Sequence, residues 1–413
     1  KGDFLMKLKV INILVILIIL FNSCIVFADL EDDKEQINIR EIKEELVETA
    51  KTLNNEPKLN SRVALVYDRS SGRVLYEKNG NKQTPMASTT KIMTAIVVME
   101  NSNLSDIVTI DSKSAGTGGS RLGLKKNDKI TVNDLLYGLM LRSGNDSAVA
   151  LAIHIGGSIE GFAEMMNQKA KELKLINTHF VVPHGLDKEG HYTTAYELAK
   201  IADYALKIDK IKEIVSTKTC TIYINNKPKI ITNTNELLGS VNGVYGVKTG
   251  FTNGAGRCLV SSCKRNDLDI ITVVIGADTK KYRTADSIKL IEYTYKNYKM
   301  IDIKNKVKEQ FSTWKKINQQ RFIINKGEKS TIDLKMQEIN YDKVAIKNTQ
   351  VDNIHIEINV VYNLEAPVGE NQIIGNMKIM LGNEVIEVLD IYSKETIEKK
   401  NVKNYFMEFL KVF

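Results

Sequence analysis

The sequence predicts an α/β (α+β) fold, an antiparallel sheet flanked by helices, followed by a small all-β sandwich domain. Two observations carry this. Within residues 58–299, strand-like alternation stands at both ends and helical periodicity fills the middle. After about Met300 the texture changes to short alternating runs separated by turn residues. Strands distant in sequence with helices between them imply one sheet assembled from both ends and covered by a helical block. With 413 residues, 43% hydrophobic and 26% charged, the chain can build two or three cores and is not a disordered polymer.

Taken in order, Lys1–Leu5 precede the first methionine and read as upstream sequence. From Met6 the chain runs MKLKVINILVILIILFNSCIVFADL. Two lysines, an apolar core and Val26-Phe27-Ala28 form the pattern of a secretory signal (residues 1–28), with cleavage expected after Ala28. The run is also as long as a short membrane span, so an uncleaved anchor is the alternative. Phe21-Asn22-Ser23 is a poor lipobox for a lipid on Cys24. Either route puts the body of the protein outside the cytoplasm. Residues 29–57 form a polar lead-in, helical in places. VALVYDRSSGRVLYEKN then alternates around Ser70-Ser71-Gly72 as a β-hairpin.

Helical spacing follows in KIMTAIVVMEN, TVNDLLYGLMLRS, DSAVALAIHIGG, EGFAEMMNQKAKELKL and TTAYELAKIADYALK. Strands return at TCTIYINN, RCLVSSCKR and LDIITVVIGA before a last helix, TADSIKLIEYTYKNY. Residues 300–395 read as an antiparallel sandwich of short strands without a long helix. In residues 396–413, Val402, Tyr405, Phe406, Phe409, Leu410 and Phe413 share one helical face beside Lys399, Lys400, Lys403 and Lys411. Such a helix suits a membrane interface; the alternative is a tail docked on its own sandwich.

The net charge of +8 is spread along the chain, which weakens a nucleic-acid reading and fits an anionic envelope surface. Beyond the signal only Cys220, Cys258 and Cys263 remain. Cys258 and Cys263, five apart in a strand-like stretch, point to opposite faces, so all three read as buried or half-buried thiols without metal or redox work.

Three stretches carry hydroxyls, amines and amides suited to chemistry. Ser88 stands three residues before Lys91 in ASTTKIMTA, where a helix start puts both on one face. The ordinary reading is a serine cap and a solvated lysine. Ser143-Gly144-Asn145 lies between two helices, either projecting polar groups at a cleft or simply forming a turn. Lys248-Thr249-Gly250 precedes a glycine-rich turn, and a small residue at 250 lets a ligand approach the strand. Each alone is weak.

Together, S-x-x-K, S-x-N and K-T-G in this order form the signature set of penicillin-recognising serine enzymes. The chain resembles the low-molecular-mass penicillin-binding proteins that are serine D-alanyl-D-alanine carboxypeptidases, the S11 peptidases. The resemblance runs from about Val63 to Ile391 and takes in PHGLDKEGHYTTAYELA, TNTNELL and APVGENQIIG. It implies a penicillin-recognising serine transpeptidase/β-lactamase-like fold, peptidoglycan stem peptides as substrate, β-lactams as inhibitors, no cofactor, and a basic tail helix on the membrane surface. It also implies that Ser88 attacks the carbonyl between the terminal D-alanines while Lys91, kept neutral by burial and by the nearby Lys248, takes its proton. Ser143 would relay a proton to the leaving amine and Asn145 would bond the peptide and Lys91. Lys248 and Thr249 would meet the terminal carboxylate, and the N–H groups of Ser88 and Phe251 would form the oxyanion hole.

One departure stands out. Some relatives carry an arginine in the Asn-x-Asn segment that helps bind the carboxylate; here the segment is Asn233-Thr234-Asn235. His184, Asp187 and His191 could be drawn as a metal site, but the family carries this loop without metal. The run GTGGSRLG at 116–123 lacks the Lys-Ser/Thr of a phosphate cradle and reads as a loop near the cleft. The rival functions are a β-lactamase, whose Glu-x-x-Leu-Asn is absent here, and a non-catalytic muropeptide-binding envelope protein.

Overall fold

The computed structural model describes residues 37–50 and 56–410. The signal region 1–28, its cleavage point and Cys24 lie outside the described residues. The chain divides into two compact units between Lys296 and Asn297.

In the first unit the strands are Val63–Asp68 (β1), Val74–Lys78 (β2), Ile107–Thr109 (β3), Lys129–Thr131 (β4), Thr219–Ile224 (β5), Lys227–Thr232 (β6), Val244–Thr252 (β7), Gly256–Arg265 (β8) and Leu268–Ala277 (β9). The main helices are Ile39–Ala50 (α1), Lys91–Asn101 (α2), Val132–Leu141 (α3), Asn145–Gly156 (α4), Ile159–Glu172 (α5), Ala195–Ala205 (α6), Asp209–Ser216 (α7) and Lys280–Asn297 (α8). The expected hairpin forms, β1 against β2. An antiparallel sheet in the order β2-β1-β9-β8-β7 then joins the two ends of the segment, with Val63 opposite Ile275. β1 is apolar from Val63 to Tyr67, and β9 is apolar apart from Asp269 and Thr272, which suits strands covered on both faces; all six residues of β1 are buried. Cys258 and Cys263 are buried free thiols on β8.

α2 is apolar around nearly its whole circumference, as a helix inside a helical block must be. It buries every residue from Lys91 to Val98. A lysine in that buried row has to find polar partners inside the protein. β7, at the edge of the sheet, runs beside the turn that leads into α2.

The second unit contains Tyr298–Asp302 (β10), the helix Ile303–Asn318 (α9), and the strands Ile323–Asn325 (β11), Leu334–Met336 (β12), Lys343–Lys347 (β13), Ile354–Val360 (β14), Asn363–Glu365 (β15), Ile373–Leu381 (β16) and Glu384–Ser393 (β17). β12-β17-β16-β14 form an antiparallel sheet. Two smaller pairs, β10 with β13 and β11 with β15, complete the strand pattern, the second of them parallel. The expectation of no long helix in 300–395 is corrected by α9. Ile303, Val307 and Phe311 recur every four residues and are buried, and the Asp302 side chain caps the start by accepting from Asn305 N. That period is legible in the sequence but is hemmed between strand-like stretches.

A final helix, Val402–Leu410 (α10), leaves Val402, Tyr405, Phe406 and Leu410 exposed. Phe413, and the side chain of Phe409, lie outside what the structure describes. Among the described residues no helix is long and apolar enough to cross a membrane.

Candidate active site

Ala87–Thr90 form one 3-10 turn that runs directly into α2, and no side chain caps either start. The ordinary reading of Ser88 as a helix cap therefore fails. Its hydroxyl lies 2.8 Å from Lys91 Nζ instead. The turn begins on Ala87 at φ 48°, a left-handed conformation that costs a non-glycine residue energy and persists only where neighbours enforce it. Thr90 Oγ1 donates to the Ala87 carbonyl at 2.8 Å, and Gly185 packs so tightly on it that a Cβ there would come within 1.9 Å of the oxygen.

Lys91 is fully buried. Its Nζ reaches Asn145 Oδ1 at 2.7 Å and the His184 carbonyl at 2.7 Å as well as Ser88. Asn145 opens α4, and Ser143 precedes it on the buried turn from α3, at φ 57°. The 116–123 loop lies against this second motif: Asn145 Nδ2 donates to Gly118 O and Asn145 N to Ser120 O, both at 2.8 Å. Asp146 accepts from the N–H groups of Leu122, Gly123 and Leu124 at 2.8, 2.8 and 3.0 Å. Those donors are committed to a carboxylate and cannot cradle a phosphate.

β7 brings in the third motif. A Cβ on Gly250 would stand 3.0 Å from Ser88 N and 3.1 Å from Ala87 Cβ, so only glycine lets the strand lie this close to the turn. Lys248 is buried with Nζ donating to Thr249 O at 2.9 Å. The Thr249 hydroxyl is 2.7 Å from the Thr234 hydroxyl. Phe251 carries the Arg257 guanidinium 3.5 Å above its ring centre. Ser88 and Asn145 are thus both in direct contact with Lys91, with Gly250 against the backbone of Ser88. Ser143 adjoins them along the chain.

His184, Asp187 and His191 turn to separate partners. His184 Nδ1 accepts from Leu186 N, His191 Nδ1 accepts from Val181 N while its Nε2 meets Thr90 Oγ1, and Asp187 accepts from Thr252 Oγ1 and Gly254 N. Burial, reinforced by Lys91 and His191, holds the His184 imidazole down to about 3. Burial, reinforced by His179, holds His191 down to about 4. Both rings are neutral at ordinary pH.

The D-alanyl-D-alanine carboxypeptidase family profile, peptidase S11, matches residues 50–279. The chain belongs to that family. A second profile, the C-terminal domain of penicillin-binding protein 5, matches residues 295–399. The D-alanyl-D-alanine carboxypeptidase DacF of Bacillus subtilis is 34% identical over 85% of this chain and 88% of its own length. DacC of Escherichia coli is 33% identical over 83% and 86%. The crystal structure of penicillin-binding protein 5 from Haemophilus influenzae superposes with a TM-score of 0.69 at 27% identity, covering 84% of this chain and 99% of that one. This carboxypeptidase is accordingly a serine hydrolase of peptidoglycan metabolism with the penicillin-recognising fold. Sequence reasoning passed over Thr90, Thr252 and Gly185 as parts of its site, and it marked Thr234 only as the residue standing in the Asn-x-Asn segment. Gly185 follows His184 and gives a visible signal in PHGLD; Thr90 and Thr252 give none, because only the fold brings them to His191 and Asp187.

Proposed function

We propose that the carboxypeptidase removes the terminal D-alanine of stem pentapeptides through an acyl-enzyme on Ser88. The carrying observation is the 2.8 Å contact between Ser88 Oγ and the buried amine of Lys91. Two partners of that amine, the Asn145 amide oxygen and the His184 carbonyl, can only accept. A neutral amine gives its two N–H groups to these acceptors and turns its lone pair to the serine. Burial disfavours the ammonium form and so favours that state.

Ser88 Oγ attacks the carbonyl carbon of the scissile bond and its proton passes to Lys91 Nζ. The oxyanion lies between the N–H groups of Ser88 and Phe251, two backbone elements that Gly250 allows to approach. The proton now on Lys91 passes by way of Ser143 to the leaving D-alanine nitrogen as the C–N bond breaks, which returns Lys91 to the neutral amine. Lys248 and Thr249 hold the terminal carboxylate, with Thr234 orienting the Thr249 hydroxyl. Water then cleaves the ester, and β-lactams inhibit by leaving an ester that hydrolyses slowly.

The test uses a diacylated tripeptide ending in Lys-D-Ala-D-Ala and fluorescent penicillin, with a Ser88→Ala variant. D-alanine release and a persistent label, both lost in the variant, support the reading. Rapid penicillin turnover points to a β-lactamase, and absence of acylation to a binding protein. We further propose that the protein is secreted and held at the outer face of the cytoplasmic membrane. MKLKVINILVILIILFNSCIVFA supports export, and the exposed Val402, Tyr405, Phe406 and Leu410 beside Lys399, Lys400 and Lys403 support an interfacial tail.

A further inference from the structure

One loop, residues 183–191, touches both walls of the site. On the helix wall the Pro183 carbonyl accepts from Thr94 Oγ1 at 2.6 Å, the His184 carbonyl from Lys91 Nζ at 2.7 Å, and His191 Nε2 lies 2.8 Å from Thr90 Oγ1. On the strand wall Asp187 Oδ1 accepts from Thr252 Oγ1 at 2.7 Å and Oδ2 from Gly254 N at 2.9 Å. Thr252 directly follows Phe251, the proposed oxyanion donor. From His184 to Asp187 is a three-residue step, which spans about 10 Å at most. The loop is therefore a short tie between the amine that activates the serine and the strand end that receives the oxyanion.

The tie is not what folds the strand. β7 is held to β8 through the pairing of Thr252 with Gly256, and Arg62 Nη2 donates to the carbonyls of Gly254 and Ala255 at 3.1 and 2.9 Å. Those contacts survive the loss of the Asp187 carboxylate. Packing of Gly250 against Ser88 and Ala87 limits how near β7 can come to the turn; the tie limits how far the strand end beyond it can move away.

We propose that Asp187 is a positioning residue: through Thr252 and Gly254 it sets the distance between the Phe251 N–H and Ser88. The proposal rests on the Ser88 acyl-enzyme reading. It concerns an interaction made in the transition state, so its loss lowers kcat and kcat/KM together and leaves KM nearly unchanged. A carboxylate that merely braced the fold would lower the fraction of active molecules and leave the turnover of each one intact.

The full chain is tested as wild type, Asp187→Ala, Thr252→Val, Thr252→Ser and the double variant Asp187→Ala/Thr252→Val. The active fraction is counted by saturating fluorescent penicillin, and kcat and KM for the tripeptide are expressed per labelled site. The expected result is a fall of about tenfold or more in kcat for Asp187→Ala with KM within about threefold. Thr252→Ser should remain near wild type, and the double variant should be little worse than Asp187→Ala because the two groups act as one unit. A per-site kcat within about twofold of wild type for Asp187→Ala, or multiplicative losses in the double variant, overturns the proposal. Should Asp187→Ala fail to fold, Thr252→Val against Thr252→Ser decides by the same per-site kcat. Failure to label Ser88 in the wild type would overturn the underlying reading instead, and is scored separately.

Discussion

Gly250→Ala perturbs the closest approach in the site. The new methyl would sit 3.0 Å from Ser88 N, 3.1 Å from Ala87 Cβ and 3.2 Å from Thr89 N. Comfortable contact needs about 3.5 Å or more, so strand and turn must separate by roughly half an ångström. None of the three atoms is the free end of a flexible side chain; all belong to the turn that carries the nucleophile. Overpacking of this kind costs about 1–3 kcal/mol of stability. A misplacement of about 1 Å costs roughly a hundredfold in rate, so half of that projects to about tenfold, or about 1.4 kcal/mol in the barrier. Stopped-flow acylation by fluorescent penicillin and tripeptide kcat/KM should both fall by about this factor, with a Tm lower by several degrees. Acylation within about twofold of wild type would refute the claim that β7 is pressed against the Ser88 turn at Gly250.

Other perturbations address separate parts of the site and tail. Thr234→Val removes the hydroxyl beside Thr249 and should raise KM for the tripeptide by about three- to tenfold with little change in kcat, whereas Thr234→Ser should behave as wild type. His184 and His191 stay neutral when folded down to about 3 and about 4, while an unfolded histidine takes up its proton near about 6.5. Between those values the unfolded chain binds more protons, so stability declines as pH falls from about 6.5 towards 4, by an amount on the order of 3 kcal/mol for His191. His191→Gln should flatten that acid decline in Tm measured by calorimetry; an unaltered slope would discount the residue. Deleting residues 402–413 should abolish sedimentation of the signal-less chain with anionic vesicles and leave tripeptide hydrolysis unchanged. The cut is placed at 402 because Ile397 is buried and bridged to Val368, so a deletion reaching it would damage the second unit. Persistent vesicle binding would discount the tail.

Periodicity made most of the first unit legible. KIMTAIVVMEN and LDIITVVIGA are long and unambiguous, and the helix α2 and the strand β9 lie where their patterns put them. α9 was hidden because Ile303, Val307 and Phe311 are diluted by six lysine and glutamate residues between alternating segments. The three motifs named Ser88, Lys91, Asn145 and Gly250, and the fold brings these together. Spacing could not foretell that Ser88 sits on a 3-10 turn rather than at a cap, because the strain at Ala87 is held by Gly185, nearly a hundred positions away. The same holds for Asp187, which as a sequence neighbour of two histidines suggested a metal and in space serves Thr252.

The proposed reaction turns on one covalent bond, the ester on Ser88. Intact-mass analysis and peptide mapping after incubation with benzylpenicillin test it most directly, in wild type and in a Lys91→Met variant of similar volume. One penicilloyl group per chain on the peptide containing Ser88, formed far more slowly without the Lys91 amine, is the predicted result. An adduct on another residue, or an undiminished rate in the variant, would contradict it.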